Sequence, residues 1–211
     1  MFHIEKNFIT EEERLAVKQT VLDLKEHWDN LRPAWYSNVS FSTLGNALYI
    51  MEAEGNTVNQ INLKVKELLN ENFNWLFQRI CSHVADMTQE NTELHPYLTS
   101  PGFHIVHEPG NYTVGFYHND MSILSYDPES NMQSNRSILI PIEIPSAGAG
   151  LLYTENRQEK QLPYELGAFH QWDARLDHKV GGLNIAPGEH RITLQCHYYY
   201  NQAHGSNFLY F

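Results

Sequence analysis

The chain has 211 residues, 42% of them hydrophobic and 18% charged, with a formal net charge of −11. Such a mixture suits one globular unit with a sizeable core, and the acidic balance excludes a nucleic-acid backbone as the main partner, because phosphates need Lys and Arg. No stretch approaches the ~18 apolar residues of a membrane span, and MFHIEKNFITEEERL lacks the basic and apolar runs of a secretory leader, so the expectation is a cytoplasmic protein with no membrane partner.

Thr10 and Glu13 form a T-x-x-E capping box that opens a helix from about Glu11 to Trp28. Leu15, Val17, Val21, Leu22 and Leu24 supply its apolar stripe, and Arg32-Pro33 ends it. Val39 to Met51 reads as strand, with Gly45 as a bend. Thr57 and Gln60 form a second box before a helical run to about Met87, whose apolar positions step by three and four from Ile61 through Phe73 and Phe77 to Val84. Cys81 and Cys196 form no CxxC and read as buried thiols.

Beyond Pro96 the pattern becomes short β-rich runs separated by Pro and Gly: FHIVHE, TVGFYHND, RSILIPIEI, GLLYTE, LGAFHQW and EHRITLQCHYYY. Helices followed by strands imply an α+β chain, 1–211 as one unit, with 1–95 mainly helical support and 96–211 a β-barrel or sandwich core.

Twelve histidines are many for this length, and their clustering in the second half prompts a search for metal ligands. His118-Asn119-Asp120 places an imidazole and a carboxylate at i and i+2, which share a face on a strand. Alone, H-x-D is a weak signal. His178, in LDHKVGG, completes a two-histidine, one-carboxylate set, the facial arrangement that leaves positions open on iron(II). Arg191, in PGEHRITLQ, is the residue type that grips a carboxylate bidentately, and Thr193 shares its face.

H-N-D, D-H-K-V and P-G-E-H-R-I-T-L together resemble the iron(II)- and 2-oxoglutarate-dependent dioxygenases, especially their small prolyl-hydroxylase-like branch. The segments STLGNALY and PGFHIV are more loosely similar to lead-in strands of that superfamily. The resemblance implies a double-stranded β-helix (jelly-roll, cupin-like) core. It implies that His118, Asp120 and His178 ligate Fe(II), that Arg191 with Thr193 anchors 2-oxoglutarate, and that O2 is the second cosubstrate. It further implies a hydroxylase that releases succinate and CO2. Asp120 stands where related halogenases carry a small residue, which favours hydroxylation over halogenation.

The substrate expected is a small molecule, an amino acid or a peptide. His104, Tyr126, Trp172 and Asp173 are the candidate substrate contacts. Parity lets only one of His104 and His107 face the site, sets His190 opposite Arg191, and sends Tyr117 away from His118 while Phe116 shares its face. Phe116 reads as a core residue, His170, His190, His197 and His204 as structural histidines, and Met132 to Arg136 as a flexible lid. Two other functions compete: a peptide or protein side-chain hydroxylase, and a non-catalytic metal-binding cupin-like module. Oligomeric state is not legible.

Overall fold

The protein is described from a computed structural model at residues 2–31, 41–112, 116–127, 130–148 and 150–211. The capping box at Thr10 forms as expected: its hydroxyl accepts from Glu13 N, and Glu13 reaches back to Thr10 N at 2.8 Å. Helix α1 spans Glu11–Asp23 and gives way to a 3-10 turn over Lys25–His27, shorter than the run to Trp28 that the stripe suggested. Leu15, counted in that stripe, is exposed, and the buried face is Arg14, Val17 and Val21. Arg14 is buried because its guanidinium donates to the Ile142 carbonyl and to Glu11.

The span expected as one strand divides: residues 39 and 40 lie outside the described residues, Phe41–Leu44 is extended, and Leu48–Ala53 is a short helix, α2. Gly45 lies between them at φ +118°, a conformation that glycine tolerates. Gln60 caps Thr57 N as the box pattern suggests, but that turn is only a 3-10 turn over Val58–Gln60. The long helix α3, Leu63–Thr88, starts instead from Asn62, whose side chain accepts from Val65 N. Its inward stripe is the one foreseen: Val65, Leu69, Phe73, Leu76, Phe77, Ile80 and Val84.

The strands are β1 His3–Glu5, β2 Asp29–Leu31, β3 Phe41–Leu44, β4 Thr92–Leu94, β5 Gly102–Val106, β6 Gly110–Tyr112, β7 Arg136–Glu143 and β8 Ala147–Gly148. They continue with β9 Gly150–Glu155, β10 Gln158–Pro163, β11 Phe169–Asp173, β12 His178–Val180, β13 Leu183–Ile185, β14 Arg191–Asn201 and β15 Ser206–Tyr210. Among the described residues, nine form one sheet in the order β1-β11-β7-β14-β5-β3-β2, with β15 beside β14 and β4 beside β15. Strands from the first 95 residues thus enter the same sheet as the later ones. Two small sheets, β10-β9-β12 and β6-β13-β8, complete the β structure.

Strand alternation gives the large sheet two dissimilar faces. Ile138, Ile140 and Ile142 of β7, Ile192, Leu194 and Cys196 of β14, and Phe103 and Ile105 of β5 join the cluster built by α1 and α3. The alternate residues Leu139 and Val106, with Phe41 and Trp172, pack against Leu151, Leu183 and Ile185 of the small sheets. A cavity opens between the large sheet and the small ones, on the side away from the long helices.

Candidate metal centre

His118 does not lie in a strand. It makes a single antiparallel bridge to His178, the first residue of β12, with reciprocal backbone bonds of 3.0 and 2.9 Å. The H-x-D geometry therefore comes from this bridge and from Asp120 N donating to the Ala174 carbonyl, not from a pleat of its own. The strand expected over TVGFYHND is not observed at its described end, and 113–115 lie outside the described residues.

The two imidazoles are held alike. His118 Nδ1 bonds the Phe116 carbonyl and His178 Nδ1 the Leu176 carbonyl, each at 2.8 Å. A backbone carbonyl only accepts, so both Nδ1 atoms carry the proton and both Nε2 lone pairs are free for a metal. Those Nε2 atoms face Asp120, His118 at 3.8 Å from Oδ1 and His178 at 3.4 Å from Oδ2. The three residues offer donor atoms that all lie within 4.8 Å of one another. His118 is half exposed, whereas His178 and Asp120 are buried, so the cluster opens on one side.

Burial alone would raise the Asp120 carboxyl. The imidazoles of His178, His197 and His118 and the hydroxyl of Ser137 outweigh that and hold it at about 2. Ser137 donates to Asp120 Oδ2 at 2.5 Å. Its oxygen in turn lies 3.2 Å from His197 Nδ1, so His197 donates to it and a chain runs His197 to Ser137 to Asp120. Burial lowers both His178 and His197, favouring the neutral imidazole that metal ligation requires.

The cavity beside this cluster has a volume of about 310 Å³. Arg191 lies in its wall, 2% exposed, with its guanidinium carbon 5.8 Å from the centre of the Tyr164 ring. Arg191 Nε, Thr193 Oγ1 and the Tyr164 hydroxyl are all buried without a hydrogen-bond partner. Unpaired buried donors cost roughly 1–3 kcal/mol each, and Arg191 and Tyr164 both line the cavity, so together they mark a cradle for an anionic oxygen ligand. The His–Asp–His donor set and this cradle fit a divalent metal and a carboxylate-bearing chelator on it.

Of the substrate candidates, His104 and Trp172 line the cavity, and Trp172 packs edge-on to His178 with ring centroids 5.3 Å apart. Burial, with Arg191 nearby, pushes His104 down to about 3, and its Nε2 lies 3.2 Å from the Tyr49 hydroxyl. The other two lie off the cavity wall. Tyr126 packs beside Leu48 and Met51 with its hydroxyl on the Asn56 carbonyl, and Asp173 is engaged by Arg175 at 2.6 Å. Phe116, read as core, is 72% exposed and lines the cavity, because residues 116 and 117 lie outside any strand and a pleat pattern cannot assign their faces. Tyr117 donates to Glu159, and His190 lies beside Glu143.

Sequence reasoning missed Tyr49, Tyr164, Gln195 and Leu139 in the wall, and Ser137 behind Asp120. Gln195 was accessible by parity, since it shares a face of its strand with Arg191, whereas Leu139 had no identified residue on its strand to share a face with. Tyr164 follows a strand end and carries no such signal.

No family model matches the chain, and no curated protein does. Solved structures do. A 2OG-Fe(II) oxygenase family oxidoreductase from Burkholderia pseudomallei superposes with a TM-score of 0.58 at 11% identity, covering 98% of this chain and 88% of that one. The non-haem alpha-ketoglutarate-dependent epimerase SnoN from nogalamycin biosynthesis gives 0.59 at 11% identity, over 94% and 78%. A prolyl hydroxylase from Trichoplax adhaerens, solved with a hypoxia inducible factor oxygen degradation domain peptide fragment, gives 0.51 at 14% identity, over 96% and 84%. The chain has the fold of the 2OG-Fe(II) oxygenases.

Proposed function

We propose that the protein is an Fe(II)- and 2-oxoglutarate-dependent dioxygenase with a double-stranded β-helix core, acting as a hydroxylase on a small metabolite or amino-acid-like substrate. The observation that carries this reading is the pairing, in one cavity, of an open His118–Asp120–His178 donor set with the buried Arg191 and Tyr164, whose Nε and hydroxyl have no hydrogen-bond partner. A metal-binding cupin-like module has no need of such a cradle.

His118 and His178 would present Nε2, and Asp120 a carboxylate oxygen, to iron(II). Arg191 would hold the distal carboxylate of 2-oxoglutarate by a charge-assisted bond, with Thr193 and Tyr164 donating beside it. When bound, the iron supplies the oxidising chemistry that couples conversion of 2-oxoglutarate and O2 to succinate and CO2 with hydroxylation of a C–H bond. The residues position and enclose. Ser137 and His197 fix the Asp120 carboxylate, and Trp172 covers one side of His178. Phe41, Leu139, Leu151 and Val180 exclude water from the inner cavity.

The cavity volume, at the small end of the range for ligand pockets, supports a small substrate. The peptide bound in the Trichoplax neighbour and the exposed Phe116 of the cavity lining support the second reading, a peptide side-chain hydroxylase. The experiment is a substrate screen by mass spectrometry with iron(II), 2-oxoglutarate and ascorbate. The expected result is one small molecule that gains an oxygen atom with matching succinate release. Oxygen gain only on peptides would shift the assignment to the second reading, and zinc retention without 2-oxoglutarate binding would support the metal-binding module.

A further inference from the structure

A second group of side chains with metal-ligand chemistry lies outside the cavity. His3 and Glu5 are alternate residues of β1, so they share a face of a regular strand, and α3 brings His83 beside them. Their donor atoms all lie within 4.8 Å of one another. His83 Nε2 stands 3.3 Å from Glu5 Oε2. That separation matches the edge of a tetrahedron with zinc–ligand bonds of ~2.0–2.1 Å. His83 Nε2 is also fully buried without a hydrogen-bond partner, although His3 and Glu5 beside it are exposed. The His83 ring is held by edge-on contacts with Phe169, 4.7 Å between centroids, and Phe8, 5.3 Å.

We propose that His3, Glu5 and His83 bind a borderline divalent cation of the zinc type, tying the N-terminal strand to the long helix. Two imidazoles and one carboxylate are the donors such an ion prefers, and the exposed side of the cluster leaves room for a water ligand. The tie has a mechanical purpose. β1 is three residues long and forms the edge of the large sheet, paired only with β11 among the described residues. A strand that short frays unless something holds it. The residue before His3 is Phe2, which packs on Tyr153 at 4.7 Å and on Trp172 at 6.3 Å, and Trp172 is the wall residue against His178. Holding β1 therefore backs the wall of the cavity.

The test uses the full chain carrying His118→Ala and His178→Ala, so that the central donor set is disabled, titrated with zinc chloride by calorimetry. The expected result is one equivalent of zinc bound. Adding His3→Gln and Glu5→Gln, both exposed positions that leave the core untouched, weakens that binding by about tenfold or more, the scale of disrupted metal-site support. His83→Gln does the same. Failure of the first variant to take up zinc overturns the proposal, as does unchanged affinity after His3→Gln and Glu5→Gln.

Discussion

Asp120 shows how one side chain is prepared by its neighbours. Its carboxylate sits among three imidazoles and takes a short hydrogen bond from Ser137, which is oriented in turn by His197. Ser137→Ala leaves the three donors in place but removes the bond that aims one of them. Iron(II) or manganese(II) affinity should therefore fall about 10–100-fold, measured by metal titration, with little change in melting temperature. In the proposed function Arg191 is the counterpart for the cosubstrate. Arg191→Lys keeps a charge but loses the planar fork, and Arg191→Ala leaves the carboxylate without its ion pair. The cost of removing one partner of a buried pair, roughly 2–5 kcal/mol, predicts a loss in 2-oxoglutarate affinity of about two to three orders of magnitude for Arg191→Ala, with metal affinity preserved. At this scale the grouping of His118, Asp120 and His178 beside Arg191 was legible, because chemistry constrains which residue types can hold iron and a carboxylate. Ser137, Tyr49 and Tyr164 were not, because their roles depend on which strand and loop lie opposite.

The helices carry their own start signals, and these read unevenly. Thr10 with Glu13 is a true box, and Glu13 also links α1 to α3 through two bonds to Arg79, at 2.6 and 2.8 Å. The Arg79 guanidinium, then the Thr10 backbone, holds the Glu13 carboxyl at about 2, below its ordinary 4.5. A carboxyl depressed in the folded state stabilises above its unfolded value and loses that contribution as pH falls toward the folded one. Glu13→Gln should therefore cost about 1 kcal/mol near neutral pH, discounted for partial exposure, and the gap to the parent protein should narrow as pH drops from about 4.5 toward 2 in urea melts. Thr57 and Gln60 match the same pattern yet close only a 3-10 turn, since Asn62 caps the long helix one turn later. Strands were harder. β10, QEKQLP, has no apolar alternation and escapes detection, because it sits at the edge of its small sheet with nearly every side chain in solvent. The segment from Phe41 to Ala53 combines a buried strand and a buried helix, and continuous hydrophobicity cannot divide them.

At the scale of the molecule, a large sheet separates the helices from the chemistry. One face is filled by α1 and α3, the other carries Arg191, Gln195, Leu139 and Trp172 into the cavity wall. Phe77 on α3 is fully buried in the helical cluster, so Phe77→Ala should lower stability by about 3–5 kcal/mol in denaturant melts. The order of helices then strands made the α+β class legible, but not the entry of β1 to β4 into the main sheet. Short strands in the first 95 residues pair with partners far away in sequence, and local pattern does not encode that distance. The joint placement of metal donors and carboxylate cradle in one cavity is the centre of the account. It is tested most directly by anaerobic titration of the iron(II)-loaded protein with 2-oxoglutarate, followed by visible absorption. Chelation of a 2-oxo acid to iron(II) produces a charge-transfer band. The parent protein should develop that band, Asp120→Ala should not, and Arg191→Ala should require about a hundredfold more 2-oxoglutarate. Absence of the band in the parent, or an identical titration in both variants, would contradict the account.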